Sequence, residues 1–281
     1  MSYDPCALAS IARGLAECAG KAVLDVYHDA VAPIGRLKAD GSPLTRADMA
    51  SHRIICQGLQ AATPDVPLVS EEGVASSARR RADWKRYWLV DPLDGTKEFL
   101  ARNGEFTVNI ALIDVEGRHG TAVLGTVHVP QSGVTYVGVR GHGAWRHDGD
   151  RELAITSSPP AGAVRVVASR SHGNAATDAF IEGLVDLYGT VERASSGSSL
   201  KLCRVAEGHA HFYPRVGPTM AWDTAAAQAI VEAAGAVVWR FGTRDPLTYD
   251  PRRLRNPPFL VAFGAEAALP DTYRVAEEAE A

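Results

Sequence analysis

Hydrophobic residues near the amino terminus recur at intervals of three and four, the spacing of a helix that buries one face. This repeat predicts a helix over residues 5–29, with apolar positions at Leu8, Ile11, Leu15, Cys18, Ala22 and Val26. Thr45 is a candidate N-cap for a second helix, because its hydroxyl can accept hydrogen bonds from the first backbone N–H groups. The apolar face of that helix comprises Met49, Ile54, Ile55 and Leu59. Pro64 and Pro67 end it, and a short strand follows at residues 68–70.

From residue 87 onward, short apolar runs alternate with glycine-containing turns, a pattern typical of an antiparallel meander. The predicted strands are 87–90, 106–114, 122–129, 134–139 and 144–146. Beyond residue 163 strands alternate with helices, which predicts an α/β half with a second sheet. The strands of this part are 164–168, 190–193, 210–213, 236–239 and 259–263, and its helices are 175–188, one that follows Gly197, and 222–234.

A segment rich in serine, proline and glycine at residues 157–162 separates these two patterns. Clusters of these residues between regular elements are typical of connections. We therefore predict an α/β protein of two packed halves. The N-terminal α+β half spans residues 1–157, and the C-terminal α/β half spans residues 158–281.

The composition of the 281 residues is that of a folded globular protein, with 46% hydrophobic and 22% charged residues. A formal net charge of −4 without a basic excess argues against a nucleic-acid partner. No apolar run reaches the roughly 18–20 residues that a membrane helix needs, and the first residues lack a secretory pattern. The four cysteines show no C-x-x-C spacing and suggest no disulfide framework. We expect a cytoplasmic enzyme acting on a small molecule, monomeric or homodimeric, with peripheral contact at the inner membrane face left open.

The chemistry is concentrated in residues 91–99, which read Asp-Pro-Leu-Asp-Gly-Thr-Lys-Glu-Phe and follow the apolar run 87–90. Pro92 fixes the backbone between Asp91 and Asp94, so that both carboxylates can face one point. Oxygen ligands on a rigid turn suit Mg²⁺. Gly95 permits a tight turn, and Thr96 opens a short helix whose first N–H groups can bind phosphate. This pattern predicts metal-assisted phosphate hydrolysis.

Two further acidic signals are weak when taken alone. Glu71 and Glu72 end a short strand 20 residues before Asp91, and Asp223 lies at a helix start in the run Ala-Trp-Asp-Thr-Ala-Ala-Ala. A glutamate pair is most often a solvated turn, and an aspartate before an alanine-rich helix is most often a cap. Neither signal by itself predicts a metal ligand.

Taken together, these residues resemble the inositol monophosphatase superfamily of Mg²⁺-dependent, lithium-sensitive phosphatases. Its pattern is Glu-Glu, then D-P-[LI]-D-G-T, then W-D-x-A-[AG]. Four segments also resemble its CysQ-type branch of 3′(2′),5′-bisphosphate nucleotidases: residues 91–114, 169–172 (SRSH), 197–201 (GSSLK) and 213–219 (YPRVGPT). The resemblance covers nearly the whole chain and implies a layered α/β/α/β/α sandwich with two sheets. One departure is Ala227, where the family often has glycine, and this change removes no ligand.

The resemblance implies a set of metal ligands. Glu71, Asp91 and the backbone carbonyl of Leu93 would hold a first Mg²⁺. Asp91, Asp94 and Asp223 would hold a second, with Asp91 bridging the two. Because neighbouring side chains on an extended segment diverge, we assign Glu71 rather than Glu72 to the metal.

Other residues are assigned to catalysis and to the ions around it. Glu72 is assigned to orienting a water. Lys38 is a candidate for contact with the phosphate or with an additional metal site, so two or three ions are expected. Thr96 cannot act as a base unaided at pH 7, and Asp48 resembles the family aspartate that accepts its hydrogen bond. Without the resemblance, Asp48 would be interpreted as a first-turn helix carboxylate.

The resemblance also implies contacts to the substrate. The N–H groups of Gly95 and Thr96 would bind the phosphate under attack. The expected contacts to a second phosphate and to adenine are Ser198, Ser199, Lys201, Arg170, His172 and Arg215. The alternative for Arg170 and Arg215 is a surface position or a structural ion pair.

The predicted reaction is hydrolysis of the 3′-phosphate of 3′-phosphoadenosine 5′-phosphate to AMP and phosphate, which recycles a by-product of sulfate assimilation. One alternative keeps the class and changes the substrate to inositol monophosphate or fructose 1,6-bisphosphate. Another is a non-catalytic nucleotide-binding regulator. The presence of every expected carboxylate, together with Thr96 and Asp48, argues against the regulator.

Overall fold

The computed structural model describes residues 3–29, 34–37, 43–73, 78–168 and 175–273. Lys38, Arg170 and His172 therefore lie outside the described residues. The helices are α1 (Pro5–His28), α2 (Arg46–Ala62), α3 (Ala78–Arg81), α4 (Thr96–Leu100), α5 (Ala175–Tyr188), α6 (Leu200–Ala206) and α7 (Ala221–Ala233). The strands are β1 (Ile34–Leu37), β2 (Pro43–Thr45), β3 (Leu68–Ser70), β4 (Arg86–Asp94), β5 (Thr107–Glu116), β6 (His119–Val129), β7 (Val134–Val139), β8 (Gly143–Asp148), β9 (Arg151–Ile155), β10 (Val164–Ala168), β11 (Val191–Ser195), β12 (Phe212–Arg215), β13 (Val237–Arg240) and β14 (Phe259–Ala262).

The first two helices begin at side-chain caps. The carboxylate of Asp4 accepts hydrogen bonds from the backbone N–H groups of Cys6 and Ala7, and Pro5 occupies the first helical position. Thr45 caps α2 as predicted, and Asp48 completes a capping box with it. The two helices pack on each other and cover one face of the larger sheet.

The larger sheet has seven strands in the order β3-β4-β5-β6-β7-β8-β9. From β4 to β9 every neighbour is antiparallel, which confirms the predicted meander, while β3 joins β4 in parallel at the edge. β9 was not predicted from the sequence, because four of its five residues are exposed and show no apolar alternation. The short elements β1, β2 and α3 were also not predicted, since they are too brief to show a period.

The second sheet has five strands in the order β11-β10-β12-β14-β13. β10 pairs in parallel with both β11 and β12, and β14 runs antiparallel to β12 and β13. The predicted helices and strands of this part match the observed ones to within about two residues at each end, and the helix predicted after Gly197 is α6.

Three apolar clusters separate five layers, which confirms the layered α/β/α/β/α sandwich. The first lies between α1, α2 and the seven-stranded sheet. The second covers both sides of the α6, α7 layer, against the larger sheet and against the second sheet, and the third lies between the second sheet and α5. The connection from β9 to β10 contains the predicted boundary at residue 157. The core does not divide there, because α7 packs directly on β5, β6 and β7.

Two glycines allow α7 to approach the larger sheet. A Cβ atom at Gly125 would collide with the backbone of Ala226, and one at Gly138 would collide with the backbone of Ile230. This close packing fixes the position of α7 on β6 and β7. No helix in the described part of the chain combines the length and apolar character that crossing a bilayer requires.

Candidate active site

The predicted aspartate turn is a bulge near the end of β4. Asp91 pairs with Asn109 and Asp94 with Thr107, so three steps along β4 oppose two steps along β5. The sequence predicts a turn after the strand, whereas the structure has a bulge within β4 that contains the extra residue. The hydroxyl of Ser51 on α2 donates to the Pro92 carbonyl at 2.7 Å and holds the bulge in place.

Gly95 separates the bulge from the helix that follows it. Its φ of 89° lies in the left-handed region, which favours glycine, and α4 begins at Thr96 as expected. A Cβ atom at Gly95 would collide with Oγ of Ser198. The turn therefore requires glycine at position 95 for two reasons: the positive φ and the close approach of Ser198.

Three carboxylates of the predicted metal site each have one oxygen held by the protein. Asp91 Oδ1 accepts from its own Leu93 N–H at 3.0 Å. Asp94 Oδ2 accepts from the backbone N–H and the hydroxyl of Ser199, at 2.7 and 2.9 Å. Asp223 Oδ2 accepts from the Met220 N–H at 2.8 Å. The cap-like role of Asp223 and its proposed role as a ligand are therefore compatible, because they use different oxygens.

Burial and mutual repulsion act together on this acidic cluster. Removal from water raises the pKa of Asp91 well above its ordinary value, and the charges of Glu71, Asp94 and Asp223 raise it further. Burial likewise raises the pKa of Asp223, with Asp94 and Glu71 adding to the effect. Burial raises the pKa of Asp94 too, while Lys201 and the Ser199 hydrogen bonds act in the opposite direction.

The donor set fits a hard divalent cation. Four carboxylates that repel one another in a partly water-excluded site would be stabilised by positive charge, and their oxygens suit Mg²⁺. No group of three or more histidine, cysteine, aspartate or glutamate side chains among the described residues has the arrangement of a finished metal centre. Asp91 and Glu71 share a hydrogen bond instead.

Glu71 and Glu72 lie in a short 3₁₀ turn, Glu71–Gly73, directly after β3. The prediction of an extended backbone at this pair was wrong, because the chain curls here, but successive side chains of a 3₁₀ turn still point in different directions. They also act on different groups: the charge of Glu71 acts on Asp91 and Asp223, whereas that of Glu72 acts on His52.

The predicted hydrogen bond between Thr96 and Asp48 is not formed in this structure. The Thr96 hydroxyl donates to the Leu93 carbonyl over a long 3.5 Å. Asp48 Oδ2 accepts from the backbone N–H and hydroxyl of Thr45, at 2.7 and 2.5 Å. Asp48 therefore serves the start of α2, the alternative that the residues themselves favoured.

The positively charged side chains of Lys201 and Arg215 line a cavity of about 150 Å³ beside the carboxylates. Its lining includes Asp94, Gly95, Ser198, Lys201, Arg215 and Asp223. Lys201 Nζ donates to the Ser196 carbonyl at 3.2 Å and lies 5.7 Å from the centre of the Tyr213 ring. Burial lowers the pKa of Lys201, and Asp94 opposes that shift. Arg215 Nη2 donates to the Pro218 carbonyl, while its buried Nε has no hydrogen-bond partner among the described residues.

The two serines of the predicted substrate site have structural tasks. Ser198 lines the cavity, but its hydroxyl lies 2.9 Å from the Asp94 carbonyl and 2.8 Å from the Glu105 carbonyl. Ser199 is buried, and its hydroxyl lies 2.6 Å from the Asp223 carbonyl as well as 2.9 Å from Asp94 Oδ2. Ser199 thus holds two carboxylate-bearing segments together, and its contact to the substrate stays a prediction.

Sequence reasoning did not single out two residues at this site. Asn109, opposite Asp91 on β5, donates from Nδ2 to the Ser199 hydroxyl at 2.9 Å. Tyr213 places its ring against Lys201. Both lie within segments that carry the family resemblance, yet nothing in their local spacing distinguishes them from ordinary strand residues.

Comparisons with known proteins agree with this geometry. A family model described as the inositol monophosphatase family matches residues 4–273. The chain is 47% identical over 253 residues to the 3′(2′),5′-bisphosphate nucleotidase CysQ of Escherichia coli (strain K12), covering 89% of this chain and 97% of that one. A nucleotidase of the same name from Buchnera aphidicola is 40% identical over 224 residues, covering 80% and 81%.

Solved structures of the same family also resemble this chain. The crystal structure of CysQ from Bacteroides thetaiotaomicron matches with a TM-score of 0.80 and 40% identity, covering 91% of this chain and 97% of that chain. The inositol monophosphatase from Anabaena matches with a TM-score of 0.67 at 22% identity, covering 92% and 91%, and shows that the fold is shared.

Proposed function

The chain belongs to the inositol monophosphatase family, and from this premise we propose that it is a 3′(2′),5′-bisphosphate nucleotidase. It hydrolyses the 3′-phosphate of 3′-phosphoadenosine 5′-phosphate to AMP and phosphate, a recycling reaction of sulfate assimilation. The observation that carries this choice is the placement of Lys201 and Arg215 in one cavity with Asp94 and Asp223. A substrate with two phosphates needs positive charge at a distance from the metal site, and this cavity provides it.

The enzyme is a metal-dependent phosphatase, and Mg²⁺ is the typical ion of its family. We propose that two or three ions bind, held by Glu71, Asp91, Asp94, Asp223 and the Leu93 carbonyl. When bound, the cations supply electrophilic activation of the phosphoryl group and of the attacking water. The protein supplies the placement of its oxygens: Ser199 and Met220 each hold one oxygen of a carboxylate, so that the other oxygen can bind an ion.

The remaining catalytic tasks fall to neutral and acidic groups near the bulge. We assign Glu72 to orienting the water, and Thr96 with Asp48 to positioning it. The last assignment requires new hydrogen bonds, because Thr96 now donates to Leu93 and Asp48 accepts from Thr45. The backbone N–H groups of Gly95 and Thr96 are assigned to the phosphate under attack.

The 5′-phosphate is assigned to Lys201 and Arg215. Lys201 is buried, and its ammonium group donates one hydrogen bond, to the Ser196 carbonyl. Two of its three N–H donors can therefore bind a ligand. The buried Nε of Arg215 is a further donor without a partner among the described residues. Ser198 lines the same cavity, and its hydroxyl oxygen can still accept a hydrogen bond. Arg170 and His172 keep their proposed contacts to the nucleotide.

The organisation of the protein around this reaction is also a proposal. The halves 1–157 and 158–281 contribute Asp91 and Asp94 on one side, and Asp223 on the other. We propose a monomer or homodimer in the cytoplasm. All four cysteines are free thiols in the structure, which supports a reducing compartment. Nothing in the described fold supports peripheral membrane contact.

The test is phosphate release in the presence of Mg²⁺ from 3′-phosphoadenosine 5′-phosphate, inositol 1-phosphate and fructose 1,6-bisphosphate at equal concentrations. We expect kcat/KM for the nucleotide to exceed the others at least about tenfold, which corresponds to about 1.4 kcal/mol. Comparable rates on all three would contradict the assigned specificity. Tight nucleotide binding without turnover of any of them would instead indicate the non-catalytic regulator.

A further inference from the structure

Asn256 lies in the connection between β13 and β14 and is buried. Its side-chain Nδ2 lies 2.8 Å from the Met220 carbonyl, 2.9 Å from Thr224 Oγ1 and 3.1 Å from Thr219 Oγ1. Its backbone N–H donates to the Thr219 carbonyl at 3.0 Å. One short amide side chain thus contacts three residues around the start of α7.

These contacts surround Asp223. The Met220 N–H donates to Asp223 Oδ2, while the carbonyl of the same residue accepts from Asn256. The Ala221 N–H donates to the Leu254 carbonyl at 2.7 Å, and Met220 forms an antiparallel bridge with Arg255. Residues 254–256 therefore hold the backbone from which Asp223 takes its hydrogen bond.

We propose that Asn256 is a positioning residue for the metal site. Its side chain holds the Met220–Ala221 peptide through the Met220 carbonyl, and its backbone N–H holds the Thr219–Met220 peptide, whose N–H donates to Asp223 Oδ2. Together these bonds set the direction in which the Met220 N–H holds the Asp223 carboxylate. The amide side chain is suited to this task because it donates two hydrogens to carbonyl and hydroxyl oxygens that a leucine would leave unpaired. The inference rests on the proposed function, since it assumes that Asp223 binds the metal.

If Asn256 had a purely structural role, its loss would lower stability without changing metal affinity. Tyr249 provides the matched comparison, because it belongs to the same buried network but does not contact Met220. Its hydroxyl lies 3.0 Å from Thr224 Oγ1 and donates to Gln228 Oε1 at 2.7 Å. Loss of that hydroxyl weakens the packing of α7 and leaves the backbone that orients Asp223 in place.

The experiment measures Mn²⁺ binding by electron paramagnetic resonance, without substrate, for the wild type, Asn256→Leu and Tyr249→Phe. We expect Asn256→Leu, which nearly keeps the side-chain volume, to raise the Mn²⁺ Kd at least tenfold and the Mg²⁺ concentration for half-maximal activity by a similar factor. Tyr249→Phe should lower the Tm and change either value less than twofold. Equal Mn²⁺ affinity in folded Asn256→Leu and wild type would overturn the proposal.

Asn256→Ser is the second variant, because its smaller side chain can be tolerated where leucine prevents folding, and it should still weaken Mn²⁺ binding several-fold. Wild-type affinity in Asn256→Ser together with an unfolded Asn256→Leu would also reject the positioning role. A wild-type protein that binds Mn²⁺ but releases no phosphate would contradict the proposed function alone. A wild-type protein that binds no Mn²⁺ would overturn both.

Discussion

The backbone N–H and the hydroxyl of Ser199 both reach one carboxylate oxygen of Asp94, at 2.7 and 2.9 Å. The two residues are 105 positions apart in the chain: Asp94 ends β4, and Ser199 directly precedes α6. The same hydroxyl lies 2.6 Å from the Asp223 carbonyl. A single serine thus links the segments that carry two proposed metal ligands.

We expect Ser199→Ala to reduce kcat/KM by roughly 10- to 100-fold, because a hydrogen bond to a charged group contributes about 1.5–3 kcal/mol. The loss should be partly restored at high Mg²⁺, since the ion can draw Asp94 back into place. The measurement is kcat/KM across a Mg²⁺ titration. Ser132→Ala is the control, because its hydroxyl serves only a hairpin turn away from the site. An unchanged Mg²⁺ dependence in Ser199→Ala would contradict this role.

Asp94→Asn should abolish turnover while the protein remains folded. The amide oxygen can still accept from Ser199, but the site loses one of the negative charges proposed to hold the second ion. Phosphate release at saturating Mg²⁺ and a thermal unfolding curve would test this together. Near-wild-type rates would exclude the two-metal assignment of this residue.

Lys201→Met should affect 3′-phosphoadenosine 5′-phosphate far more than 3′-AMP, which has no 5′-phosphate. Methionine keeps the length of the stem against Tyr213 and removes the charge. We expect a loss of roughly 10- to 100-fold in kcat/KM on the bisphosphate, in line with about 1.5–3 kcal/mol for a charged hydrogen bond, and a much smaller loss on 3′-AMP. Equal losses on both substrates would assign Lys201 to supporting Asp94, whose pKa it lowers.

The buried His128 should make the protein less stable in mild acid. Burial lowers the pKa of His128 from 6.5 to about 4, and its Nδ1 is 2.8 Å from the Thr135 hydroxyl. Between these two pH values the unfolded chain binds a proton that the folded protein excludes. The free energy of unfolding therefore falls as the pH drops from about 6.5 to 4, by up to about 3 kcal/mol from this group.

The measurement is urea unfolding of the wild type and His128→Gln between pH 7 and pH 4. The variant is less stable at pH 7, because a packed side chain is replaced, but its stability should decline less steeply with acid. Parallel pH profiles for the two proteins would show that His128 does not titrate in this way.

Gly125→Ala should destabilise the protein by about 1–3 kcal/mol, because an added methyl collides with the backbone of α7 at Ala226. The displacement of α7 should also weaken metal binding through Asp223. Gly14→Ala is the matched control, since no atom lies within 4 Å of a Cβ at that position of α1. Alanine there should stabilise the helix by roughly 0.5–1 kcal/mol. Thermal unfolding of both variants tests the pair, and a stabilised Gly125→Ala would contradict the packing argument.

Local patterns in the sequence were sufficient for most elements and for the identity of the acidic residues. The start of α2 at Thr45 follows from a cap whose donors lie within three residues. Asp91 and Asp94 could be predicted as metal ligands because their carboxylates are only three positions apart in one motif. In each case the interacting residues lie within one turn or one bend of the chain, so the local sequence is enough to predict the feature.

The sequence by itself therefore determined the helices, the meander, the family and the candidate ligands of a metal site. The tertiary structure decided the tasks of other residues: Ser199 supports Asp94, and Asn256 supports the backbone beside Asp223. These tasks depend on which donors face which carboxylates once α7 is stacked between two sheets. The stacking brings together residues that are 24 to 105 positions apart in the chain. Local residue spacing cannot predict such contacts.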